Sequence, residues 1–113
     1  MNDFKTLTGY AEEIMSLKNQ PHALADLQIE ISAKYAFMSD IAKDLQLEKA
    51  IFWQIKYAGE KPLSDKGVEA KWLETEGGKK EIRMKFEMKG LEKLLSACKS
   101  SIVVNSIEAK LNY

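Results

Sequence analysis

The sequence predicts an all-α fold in which two long amphipathic helices and shorter ones pack coiled-coil-like in a homo-oligomer. Leu24, Ile31, Met38, Leu45 and Phe52 recur every seven residues, in a stretch that has no Gly, Pro or Asn between Pro21 and Tyr57. Met84, Met88, Leu91, Leu95, Cys98 and Ile102 then alternate at spacings of four and three, with Ala109 one heptad beyond. Such spacing gathers apolar side chains into a stripe on one face of a helix. The chain of 113 residues has the length of a single helical domain, spanning 1–113.

Each element has its own signals. Phe4, Leu7, Ala11 and Ile14 predict a short helix within residues 3–18, weakened by Gly9. The segment 18–22, KNQPH, interrupts it, with Asn19 as a cap and Pro21 in a first helical turn. The heptads then predict one helix of about 37 residues, 21–57, roughly 55 Å long. Leu27, Ile41 and Ile55 form its companion seam, which Lys34 and Glu48 interrupt. A strand competes over 27–37, where apolar residues alternate, but the longer pattern favours helix.

Residues 58–67, AGEKPLSDKG, read as a turn, with Gly59 as a C-cap and Pro62 beyond it. Ser64 or Asp65 caps a short helix through Val68, Trp72 and Leu73, and Gly77-Gly78 breaks it. The last helix is expected from about residue 80 to 111, with Asn105 as a polar member of its seam. Here too a strand competes, because Ile82, Met84, Phe86 and Met88 alternate with charged residues. Narrow seams of this kind need a partner helix, within the chain or from another copy, so self-association is expected.

Composition bounds the function. With 45% hydrophobic and 30% charged residues the chain belongs with folded proteins rather than disordered ones. Acids and bases balance at 17 each, so no global field recruits a polyanion. The balance is uneven along the chain: residues 1–60 carry six bases against nine acids, residues 61–113 eleven against eight. A polyanion contact is therefore expected in the second half. Arg83 is the one arginine among the bases, which disfavours base-edge reading and leaves non-specific phosphate attraction. The lone Cys98 and a start without a signal-peptide pattern fit a reducing compartment, the cytoplasm.

Catalytic chemistry has little support. His22 and Cys98 lie 76 positions apart, without a signature neighbourhood, and read as a turn histidine and a seam cysteine. Asp26–Glu30 and Asp40–Asp44 are carboxylates four apart, read as a solvated face rather than a metal site. The expectation is a protein that is not an enzyme, with no cofactor and no metal.

Two patches carry binding chemistry. Lys49, Trp53 and Tyr57 fall at i, i+4 and i+8 beside Phe52, a stripe that could stack bases at roughly 1–3 kcal/mol each. The structural alternative packs Trp53 and Tyr57 on the helix of Trp72. In 77–93, Lys79, Lys80, Arg83, Lys85, Lys89 and Lys93 face only Glu81, Glu87 and Glu92. Lys85, Lys89 and Lys93 form a helical stripe whose mutual repulsion a polyanion would relieve. The structural alternative is a solvated face partly neutralised by a Glu81–Lys85 pair.

The segment 71–110, KWLETEGGKKEIRMKFEMKGLEKLLSACKSSIVVNSIEAK, leads from charged residues into a lysine-rich, methionine-containing helix and then a small-residue apolar one. In this arrangement it resembles small helical phage proteins of homologous recombination and, more distantly, the UvsY-type recombination mediators of T-even phages. The resemblance implies a homo-oligomer that binds single-stranded DNA without sequence preference. It also implies a recombinase and a single-strand-binding protein as partners, the former loaded where the latter sits. Lys79, Lys80, Arg83, Lys85 and Lys89 match that family's basic segment in character. The expected function is thus a non-catalytic accessory protein of phage-type DNA recombination. Its rival is a helical protein–protein interaction module, a phage adaptor or host-defence inhibitor that binds no nucleic acid.

Overall fold

The computed structural model describes residues 4–57 and 63–111, with Tyr57 and residues 109–111 described by their backbone alone. Four helices follow one another: α1 Leu7–Ser16, α2 Pro21–Tyr57, α3 Asp65–Glu74 and α4 Glu76–Leu111. Both segments where a strand competed, 27–37 and 81–88, are helical. Among the described residues no helix is long and apolar enough to cross a membrane.

Local chemistry fixes the ends. Thr6 caps α1, its hydroxyl accepting from the Gly9 N–H at 3.1 Å, so the helix begins later than residue 3. Pro21 opens α2 as expected, but the preceding carbonyl that accepts the first helical bond belongs to Gln20, not Asn19 (Leu24 N–H, 3.0 Å). Ser64 is the cap of α3 and accepts from Gly67 at 3.2 Å. The Gly59 and Pro62 signals lie outside the described residues.

The break between α3 and α4 is one residue, Thr75, rather than Gly77-Gly78. Thr75 ends α3 by donating its N–H to the Trp72 carbonyl at 3.0 Å and its hydroxyl to the same oxygen at 2.6 Å. Its hydroxyl oxygen also accepts from the Gly78 N–H at 3.0 Å, which caps α4. The two glycines sit inside the first turn of α4 with no positive φ. Close approach is what requires them. A Cβ at Gly78 would lie 2.0 Å from the Trp72 carbonyl oxygen, and one at Gly77 2.7 Å from the Trp72 ring. The sequence signal was therefore real, but it marks packing rather than a helix end.

The chain divides into two compact units, residues 1–37 with 87–113, and residues 38–86. In the first, Tyr10, Ile14, Leu24, Leu27, Ile31, Leu91 and Cys98 are buried. Lys34, which interrupts the α2 seam, reaches Glu87 of α4 at 2.8 Å, donates to the Lys5 carbonyl at 2.7 Å, and lies 5.7 Å over the Tyr10 ring. Asn105 donates its side-chain amide to the Lys18 carbonyl at 2.7 Å and to the Ser101 carbonyl at 2.9 Å. Its seam position thus serves the turn after α1 within the same chain.

In the second unit Met38, Leu45, Val68, Trp72 and Met84 form the core. Phe52 packs on Trp72 with ring centroids 5.5 Å apart. Gln46 of α2 reaches Glu81 at 2.8 Å, and Glu48 lies beside Gly77, so α2 and α4 run antiparallel there. Leu24, Ile31, Met38 and Leu45 are buried and Phe52 is half-buried, while Ile55 of the companion seam is exposed. The main seams are covered by helices of the same chain.

Two glycine substitutions separate close approach from helix propensity. Gly78→Ala drives a methyl into backbone and should lower stability by at least about 3 kcal/mol in urea unfolding. Gly67→Ala, where the new methyl meets ordinary contacts at 3.4 Å, should raise it by about 0.4–1 kcal/mol.

Candidate nucleic-acid interface

Helix α4 carries more exposed cations than exposed carboxylates over residues 77–93. Lys79, Lys80, Arg83, Lys85, Lys89 and Lys93 are all exposed. Each of the three acids among them has a partner on α2 or α3, Glu81 and Glu87 a lysine and the exposed Glu92 a neutral hydroxyl. Glu81 accepts from Lys49 at 3.2 Å, from the Trp72 indole N–H at 3.3 Å and from Gln46 at 2.8 Å. Glu87 pairs with Lys34, and Glu92 accepts from the Tyr35 hydroxyl at 2.7 Å.

The pair expected to neutralise this face, Glu81–Lys85, is not formed, because Glu81 is held at Lys49 and only 20% of its side chain is exposed. Lys79 lies 3.8 Å from Glu76, a loose exposed pair of little energetic weight. Among the described residues Lys80, Arg83, Lys85, Lys89 and Lys93 take part in no ion pair. The outward side of α4 is a cation-rich row in which Glu92 is the exposed carboxylate.

Within that row stands an aromatic residue that the basic pattern alone did not single out. Phe86 is 72% exposed and Ile82, one turn before it, 42%. At about 100° per residue, Phe86 lies nearly opposite Met84, which is in the core. The alternation of Ile82, Met84, Phe86 and Met88 contained this signal, since no helix can bury all four on one face.

The α2 stripe is arranged differently. Lys49 turns its ammonium to Glu81 and Glu69, at 3.2 and 3.3 Å. Burial alone would lower its pKa, but hydrogen bonds to Glu81 and Glu69 outweigh that and raise it. Trp53 is half-buried and borders a shallow depression with Gln46, Lys49 and Ala50. It is Phe52, one position earlier, that packs on Trp72. The Tyr57 side chain lies outside the described residues. The cation of this stripe is thus committed to internal carboxylates.

His22 is exposed in the first turn of α2, whereas Cys98 is buried, and its burial raises the thiol pKa. That environment favours the inert thiol over the nucleophilic thiolate. Comparison with protein-family models, curated proteins and solved structures finds no match.

The Lys49 arrangement has a pH signature. A raised pKa means that its stabilisation is complete below the ordinary value of 10.5 and is lost as pH rises through the higher folded value. Lys49→Met should be less stable than wild type by about 1–3 kcal/mol at neutral pH. Urea unfolding across the alkaline range should show that gap narrowing as pH climbs past the ordinary lysine value. Tyr10, raised by burial, and Tyr35, raised by its bond to Glu92, are common to both proteins and cancel in the comparison.

Proposed function

We propose that the chain is a non-catalytic accessory protein of phage-type DNA recombination that binds single-stranded DNA through the outward side of α4. The observation that carries this reading is the excess of exposed cations over residues 77–93. Glu81, Glu87 and Glu92 are engaged by α2 and α3 partners, while Lys79, Lys80, Arg83, Lys85, Lys89 and Lys93 face solvent. Cations in excess of the local carboxylates repel one another, and a phosphate backbone relieves that repulsion while releasing counterions. Five lysines and a single arginine suit contact with phosphates and not the reading of base edges. The UvsY-type resemblance of residues 71–110 supports the same reading, with a recombinase and a single-strand-binding protein as partners.

Self-association belongs to the proposal through a surface other than the buried seams. Leu47, Ile51 and Ile55 stand at i, i+4 and i+8 on α2, and each is more than half exposed. A ridge of this spacing packs against the same ridge of a second copy. The same ridge favours the second reading, a protein–protein interaction module, if it takes a different protein instead.

Fluorescence anisotropy on a labelled single strand tests the first reading. Binding should weaken steeply with salt, and Lys85→Ala should flatten the log–log slope by about 0.7 for each phosphate left unneutralised. Absence of binding at low salt would leave the interaction module as the better account. Sedimentation tests the ridge: wild type should exceed the 12.8 kDa monomer mass at micromolar concentration, and Ile51→Lys should return it to monomer.

A further inference from the structure

We infer that Phe86 is the base-stacking residue of the single-strand site proposed on α4. This rests on the reading that the α4 cations contact phosphates, and it adds what those cations cannot supply. Phe86 is 72% exposed and joins no core. In helical register Lys79 and Arg83 stand two turns and one turn before it, Lys89 and Lys93 one turn and two turns after it. Ile82 extends the apolar centre by one turn toward the N-terminus.

An aromatic face within a row of cations matches the two parts of a nucleotide. The ring offers a stacking surface to a base, and the ammonium groups meet the flanking phosphates. From Lys79 to Phe86 the helix rises about 10 Å, a span over which phosphates flanking a stacked base fall near Lys79 and Arg83. A duplex keeps its bases stacked on one another and offers none to an exposed ring, whereas a single strand does. Stacking is also indifferent to base identity, in keeping with a surface so poor in arginine. Trp53 and Tyr57 were the aromatic candidates in the sequence, but the cation of their stripe, Lys49, is held by Glu69 and Glu81.

Charge complementarity selects the occupant. The cations that flank Phe86 in helical register, Lys79, Arg83, Lys89 and Lys93, are exposed and suit a polyanion.

The test uses the full chain with three labelled probes of equal length: oligo-dT, an abasic strand of the same charge, and the dT·dA duplex. Wild type should bind oligo-dT about five- to a hundred-fold more tightly than the abasic strand. Phe86→Ala should bring oligo-dT down to the abasic level, leaving abasic affinity, salt slope and melting temperature unchanged. Phe86→Trp should retain the preference for oligo-dT over both other probes. Equal binding of oligo-dT and abasic strand by wild type would overturn the stacking role while leaving the phosphate contact intact. Binding of none of the probes would overturn both. A lower sedimentation mass in Phe86→Ala would also overturn the inference, by assigning the ring to a protein contact.

Discussion

The residue 38–86 unit depends on how Trp72 is enclosed. Its ring meets Phe52 on one side and the first turn of α4 on another, and its carbonyl receives both donors of Thr75. An indole of this size approaches a helix backbone so closely only where side chains are missing, which is the role of Gly77 and Gly78. The glycines lower helix propensity in a first turn, and the packing of a fully buried tryptophan offsets that cost. A helix break, a capping residue and a core contact therefore all arise within the short stretch 72–78.

The same enclosure determines the electrostatics of α4. The indole N–H of Trp72 needs an acceptor when buried, and Glu81 provides it while also receiving Lys49 and Gln46. A carboxylate committed inward is withdrawn from the outer face. Glu87 is withdrawn in a parallel way in the residue 1–37 and 87–113 unit, by Lys34, whereas Glu92 stays exposed and accepts from the Tyr35 hydroxyl. Satisfying polar groups at the helix contacts thus leaves cations outside, on a segment whose composition is only moderately basic. In the proposed function, the binding surface is a by-product of how the core-side polar groups are paired.

The lysines that interrupt or flank the α2 seam have a related explanation. Lys34 is nearly buried, yet its ammonium has a carboxylate, a carbonyl and the Tyr10 ring around it. Lys49 has two carboxylates. Charged groups at such positions are tolerated because each is paired and hydrogen-bonded. Their long aliphatic stems also cover apolar surface near the seam.

Periodicity by itself determined the all-α class, the full extent of α2 and the buried seams of α2 and α4, because these follow from local geometry and the 3.6-residue turn, whereas the α3 cap stayed open between Ser64 and Asp65. The lysine-rich segment of 77–93 was equally legible as composition. What only the tertiary structure decided was the direction of individual groups. Glu81 lies one turn before Lys85 in sequence, and a helix allows that pair, but a buried indole and Lys49 attract the carboxylate more strongly than an exposed lysine does. The glycine pair looked like a break because Gly is a poor helix former; the nearby Trp72 made it a point of close approach. The seams called for a partner helix within the chain or from another copy, and in each unit helices of the same chain cover them. Spacing records which residues share a face, and only packing decides what that face meets.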